Sequence, residues 1–259
     1  MNAPPEFRSD LAPILITSPT TRCGTTLMQR LLCSSSNAVI FGETVAGDFE
    51  TLLQMHRLRT AVYSMHRAHF DQRIAALRRG EVNEWMLDLT PDSALYLAAL
   101  AAACAAPLDA CRVAAERDGL PLFGVKFPGW TPQVVSMIAA FLPQAKWLYL
   151  HRDLESCVRS AKARGDLSDL QSVSAFCTTW TQNMTIARGA AAHPSFLLVD
   201  YAALRDDTDA VLDRVEAFTG VVSIDRSVMQ RRINADGAYI APAALTDEER
   251  AIVARFAGT

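Results

Sequence analysis

Apolar residues fall along this chain in two rhythms. Short continuous runs at residues 14–16, 38–41, 122–128, 146–153 and 195–201 are bounded by turn-forming residues and read as buried strands. Between them the apolar positions recur at helical spacing. Leu27, Met28, Leu31 and Leu32 follow Gly24; Phe49, Leu52, Leu53, Met55, Leu58 and Val62 mark a helix over 48–80, with Gly80 as its stop. An alanine-rich segment at 92–117 predicts a helix kinked or split near Pro107, and further helices are predicted at 132–141, 154–163, 169–190 and about 208–218. Strands alternating with helices imply an α/β fold: a parallel sheet covered on both faces by right-handed crossovers. Function then belongs at the carboxyl ends of the strands.

The first strand, loop and helix carry the clearest chemical signal. Ser18, Pro19, Thr20 and Thr21 break the run at 14–16, and Gly24 opens the helix. Such a loop aims free backbone N–H groups and the positive end of a helix dipole at one point, where an anion belongs. Arg22, Glu43, Lys126, Arg152 and the neighbourhood of Tyr201 each follow an apolar run, which gathers them around one cleft.

Composition narrows the picture. In 259 residues, half hydrophobic and 20% charged, no linker, repeat or low-complexity stretch divides the chain, so one domain spanning 1–259 is expected. A formal net charge of −3 gives no reason to expect nucleic acid or a membrane as partner. The N-terminus lacks a basic region followed by an apolar one, and the longest apolar tract, 94–108, is mostly alanine, contains Tyr96 and Pro107, and is too short to span a bilayer. The expected location is the cytoplasm. Six cysteines show no C-x-x-C spacing and no clustering with histidines, so neither zinc nor a disulfide framework is suggested. Cys23 has two readings: a small buried residue, or a thiol with thiolate character near a helix N-terminus. Arg57, Arg59, Arg67, Arg73, Arg78 and Arg79 form a basic stretch that is either a solvated helix face or a docking surface for an acidic partner.

The opening loop fails as a nucleoside-triphosphate loop of the G-x-x-x-x-G-K-[ST] type, because its first glycine is missing and Thr25 stands where lysine is required. Instead, Arg22-Cys23-Gly24-Thr25-Thr26-Leu27 resembles the R-S-G-T-T-L loop that binds the 5′-phosphosulfate of 3′-phosphoadenosine 5′-phosphosulfate (PAPS) in sulfotransferases. Arg152 and Ser160, eight residues apart, resemble the pair that holds the 3′-phosphate there, and Arg164 falls where a further arginine would sit. Gly42-Glu43-Thr44 resembles the G-E-E-T segment of tyrosylprotein sulfotransferases, whose glutamate is the general base. Lys126 matches their lysine, and Tyr201 resembles a residue beside the cofactor. Within that family the chain looks most like the bacterial RaxST type.

The resemblance implies a P-loop-type three-layer fold, a central parallel sheet flanked by helices, with a helical insertion at about 48–118. It further implies PAPS as cofactor, no metal, Glu43, Arg22 and Lys126 as catalytic groups, and Arg22, Cys23, Gly24, Thr25, Thr26, Arg152, Ser160, Arg164 and Tyr201 around the cofactor. The implied reaction is in-line transfer of a sulfuryl group to the tyrosine hydroxyl of an acidic peptide or protein. Thr21 and Cys23 depart from the family's proline and serine, and its arginines after the glutamate are absent from residues 44–50, which leaves Arg57 and Arg59 as candidates for the acceptor. A small-molecule or carbohydrate acceptor is the alternative enzyme reading; a regulatory nucleotide-binding protein is the non-enzymatic one. The sequence is also compatible with a homodimer.

Overall fold

The computed structural model describes residues 9–81, 92–190, 192–231 and 241–257, the side chains of 66–71 and 257 excepted. Strands β1 (Ile14–Thr17), β2 (Ala38–Phe41), β3 (Leu122–Lys126), β4 (Lys146–His151) and β5 (Phe196–Asp200) form one sheet in the order β2-β3-β1-β4-β5. Every neighbouring pair is parallel, so all five carboxyl ends open on one edge. The chain leaves the central β1 towards β2 and β3, then crosses to β4 on the other side. That reversal puts a crevice beside the end of β1.

In chain order the helices are α1 (Thr25–Cys33), α2 (Glu43–Arg78), α3 (Ser93–Arg117), α4 (Pro132–Phe141), α5 (Leu154–Ala163), α6 (Leu170–Ala190), α7 (Tyr201–Asp206), α8 (Thr208–Thr219) and α9 (Asp247–Ala257). Residue parity along the strands decides which layer covers them. Leu15, Val125, Trp147 and Tyr149 pack on one face against α2, α3 and α4. Ile14, Ile16, Leu148 and Leu150 alternate with them and pack on the other against α1 and α8. Both faces are therefore buried, as the unbroken apolar runs predict.

Three departures from the sequence expectation concern helices. First, α2 begins at Glu43 rather than 48, which makes Glu43 the first residue of a helix and not part of a loop. Second, α3 is neither split nor ended at Pro107; it runs through the proline for 25 residues. Its length is the reason the tract at 94–108 is no longer too short: by length and composition α3 is able to cross a membrane, with a mean hydropathy of 1.7 over its best window. In the folded chain Leu97, Ala101, Cys104, Leu108, Cys111 and Ala115, spaced by four and three, form its buried seam. Third, α7, α9 and a 3₁₀ turn at Arg226–Gln230 lie beyond the predicted elements. Tyr201 accordingly opens a helix, capped by Asp200, instead of closing a strand.

The C-terminal helix has a clear structural task. α9 packs on α5 and α6 through Ile252 and Val253. Lys162 on α5 pairs with the nearly buried Glu249 at 2.6 Å and holds its carboxyl below the usual range, while Arg159 Nε donates to the Ala243 carbonyl. These contacts brace α5 from the side away from the sheet edge.

Gly124 shows how tightly β3 fits. A Cβ there would collide with the Ile14 carbonyl oxygen and lie 2.8 Å from Ile40 Cδ1, and the first obstacle is backbone that cannot swing aside. Gly124→Ala is expected to lower the unfolding free energy by about 2 kcal/mol or more, read as a lower urea midpoint at unchanged slope. Wild-type stability in that variant would refute the β1–β3 packing.

Candidate active site

The groups that follow the strands converge on the shared edge. After β1, the chain turns through Arg22 and Gly24, both with positive φ, 73° and 97°. A non-glycine residue in that region is uncommon and costs about 1 kcal/mol or more, so the loop's shape is enforced by its surroundings. Gly24 then serves as the N-cap of α1 with no side-chain cap and no acidic residue in the first turn. By contrast, α3, α4, α5, α7 and α8 each start on an Asp or Thr that accepts a helix N–H. The first amides of α1 keep their hydrogen-bonding capacity for something else.

Gly24 is required for a second reason. An added Cβ would lie 2.5 and 2.8 Å from two carbons of the Tyr201 ring, which covers the loop. Arg152 stacks on the Tyr201 ring, its Cζ 4.8 Å from the centroid. Arg152 also reaches the Arg22 carbonyl at 3.5 Å, and Arg22 Nε donates to Ser160 Oγ at 3.0 Å. The sequence pairs Arg152 with Ser160; the structure joins Ser160 to Arg22, and Arg152 packs behind them.

Arg22, Arg152 and Arg164 bring three guanidinium groups together, and among the described residues none of the three forms an ion pair. The pKa of Arg22 is lowered, first by burial and then by the like charges of Arg164 and Arg152, against which Asp166 acts. Cations held near one another with no carboxylate in ion-pair contact are arranged for an anion. At the end of β1, Thr17 Oγ1 is fully buried and has no hydrogen-bond partner. That orphan hydroxyl, the uncapped α1 and the arginine cluster all fit a ligand carrying phosphate or sulfate groups.

On the β2–β3 side, Lys126 is 6% exposed and donates to Glu43 Oε1 and, at 3.5 Å, to Thr26 Oγ1. Glu43, at the start of α2, is half-exposed. Thr25 beside Thr26 is buried. Sequence reasoning missed the wall next to Glu43. Phe127 lies against Gly47 and stacks on Trp130 (5.4 Å, 17°), and Trp130 Nε1 donates to Glu50 at 2.9 Å. Glu43, Gly47 and Glu50 occupy one face of α2 at spacings of four and three. The signal available was two aromatics directly after the lysine strand.

Arg57 and Arg59 are not brought to this edge. They lie 14 and 16 residues beyond Glu43 on α2, which is about 21 and 24 Å along the helix axis. Being two residues apart, they also point to different faces. The side chain of Arg67 lies outside the described residues. Cys23 is buried in the anion loop, with its Sγ 3.5 Å from that of Cys157. Asp153 and Asp200, the carboxylates nearest the strand ends of β4 and β5, are helix caps.

The profile of the sulfotransferase family matches residues 13–225. Among solved structures, the sulfotransferase domain of the Synechococcus PCC 7002 olefin synthase is similar over 99% of this chain and 98% of its own, at 19% identity and a TM-score of 0.53. The sulfotransferase domain of the curacin biosynthetic pathway matches over 95% and 98%, at 15% identity and 0.54. Sulfotransferase STF1 of Mycobacterium tuberculosis H37Rv matches over 97% and 78%, at 17% identity and 0.50. These similarities agree with the observed parallel sheet and its helical layers. No curated protein matches the chain in sequence.

Two glycines at this edge make opposite predictions. Gly24→Ala meets both a left-handed backbone and the Tyr201 ring, whereas nothing lies within 4 Å of a Cβ on Gly42. Calorimetry with adenosine 3′,5′-bisphosphate should show about tenfold weaker binding or worse for Gly24→Ala, near 1.4 kcal/mol, and little change for Gly42→Ala. Equal affinities would remove the loop from the binding site.

Proposed function

Since the chain belongs to the sulfotransferase family, we propose that it transfers the sulfuryl group of PAPS to a hydroxyl held beside Glu43. The observation that carries this reading is the contact of Lys126 with both Glu43 and Thr26, on the edge where Arg22, Arg152 and Arg164 also gather. Bound PAPS supplies an activated sulfuryl group and leaves as adenosine 3′,5′-bisphosphate. Arg22 with the amides of Gly24, Thr25 and Thr26 would hold the 5′-phosphosulfate. Arg152, Ser160 and Arg164 would hold the 3′-phosphate, with Cys23 inside the loop and Tyr201 over it.

The chain's own groups then divide the work. Lys126 places a fixed positive charge at the cleft, which favours negative charge building on an oxygen there. Arg22 and the α1 amides add to it without reorganising, since loop and helix are already set. Glu43 takes the acceptor's proton. Its Oε1 receives the Lys126 hydrogen bond, and Oε2 has no partner among the described residues.

For the acceptor, we favour a small-molecule hydroxyl. Arg57 and Arg59 stand too far along α2 to flank a group at Glu43, while the nearby partly exposed side chain is the aromatic Phe127, backed by the buried Trp130. The alternative, a tyrosine in an acidic peptide, is supported by the resemblance of Gly42-Glu43-Thr44 and by the exposure of both arginines. It requires acidic residues about six or seven positions from the tyrosine, at roughly 3.3–3.6 Å per extended residue.

Mass spectrometry after incubation with PAPS and a panel of small alcohols, phenols and acid-flanked tyrosine peptides separates the two. Sulfate on small acceptors is the expected result; transfer confined to the peptides would reverse the choice. In the same assay Glu43→Gln should lower kcat by about 10²–10⁴ while binding adenosine 3′,5′-bisphosphate like wild type. An unchanged rate would place the base elsewhere.

A further inference from the structure

Cys23 and Cys157 meet where the two halves of the candidate site join. Cys23 lies between Arg22 and Gly24, the two loop residues with positive φ, and Cys157 lies on α5 one turn before Ser160. Their sulfurs are 3.5 Å apart and both residues are fully buried. Thr20 and Thr21 line the same pocket, with Thr20 Oγ1 and the Thr21 carbonyl each 3.9 Å from Cys23 Sγ. We propose that Cys23 and Cys157 are a reversible dithiol–disulfide pair, and that its oxidation fastens the anion loop to α5 and weakens cofactor binding.

The chemistry requires a hydroperoxide as oxidant. The Cys23 thiolate attacks one peroxide oxygen, the O–O bond breaks, and the departing oxygen takes a proton to leave as water or an alcohol. The sulfur of Cys157 then attacks the resulting sulfenic acid, forming the S–S bond; the S–O bond breaks and hydroxide leaves as water with the Cys157 proton. Two electrons pass from the thiols to the peroxide. The two sulfurs already differ in the needed sense: a hydrogen bond from Cys157 and the nearby Arg152 charge lower the pKa of Cys23, while that same bond and burial raise that of Cys157. In this scheme Cys23, in the anion loop, is the attacking group and Cys157, on α5, the resolving one.

Bond formation draws the sulfurs from 3.5 Å to about 2.05 Å. That pull joins the same two segments as the Arg22–Ser160 hydrogen bond and acts on a loop that holds two left-handed residues. Cys33, the exposed cysteine, lies on the far end of α1 and serves as an internal reference for accessible thiol. The effect on cofactor binding rests on the sulfotransferase reading; formation of the bond does not.

The test treats the full chain with hydrogen peroxide, unfolds it in acidic denaturant, blocks remaining thiols with N-ethylmaleimide, and maps peptides by mass spectrometry. A dithiothreitol-reversible Cys23–Cys157 cross-link is expected, together with about tenfold weaker binding of adenosine 3′,5′-bisphosphate that returns on reduction. Cys157→Ala should bind like the reduced wild type and give no dithiothreitol-reversible cross-link of Cys23 under peroxide. Both cysteines remaining alkylatable while Cys33 carries the oxidation would overturn the proposal, as would a cross-link that leaves affinity unchanged. If the reduced protein binds no adenosine 3′,5′-bisphosphate yet the cross-link forms, the cofactor reading fails and the cysteine pair stands.

Discussion

Lys126 carries a charge at the end of an interior strand where almost no water reaches it. An ammonium withdrawn from solvent costs several kcal/mol unless acceptors surround it, and here they come from the first turns of two different helices. Thr26 is the second residue of α1 and Glu43 the first of α2. The lysine thereby fixes where both helices begin, relative to β3 and to each other. Were α2 to start five residues later, as the apolar periodicity suggests, the ammonium would have no carboxylate and the cleft no acid at its floor.

The opposite side of the cleft is built by withholding partners. Several helices close off their N-termini with Asp or Thr where α1 does not, and three arginines meet without forming an ion pair among the described residues. Such an arrangement is costly to leave empty and favourable to fill. The bracing of α5 by α9 keeps Ser160 within reach of Arg22 despite the repulsion among the guanidinium groups, which gives the C-terminal helix a bearing on the site it never touches.

Most of the sheet was legible because its three inner strands are buried on both faces and appear as mostly apolar runs, with the partly buried edge strands β2 and β5 still apolar enough to read. The same rule gathered Arg22, Glu43, Lys126 and Arg152 on one edge. What escaped had weaker signals. α7 and α9 are short or mostly polar, and their apolar residues carry no pattern distinct from a loop. The extent of α3 was obscured by Pro107, which tertiary packing overrides. Arg57 and Arg59 were suggestive as charges in sequence, but only the unbroken run of α2 shows how far from Glu43 they stand. The Cys23–Cys157 contact joins elements remote in the chain, and no spacing rule announces it.

The sandwich of Arg152, the Tyr201 ring and Gly24 has an evolutionary consequence. Losing the ring at position 201 would lift the steric bar at position 24 but not its left-handed backbone, and the ring in turn is the surface on which Arg152 rests. Three residues on three separate segments thus form a single heritable unit. Related chains that have replaced the tyrosine are where relocation of the arginine should be found, while the left-handed φ keeps glycine at position 24.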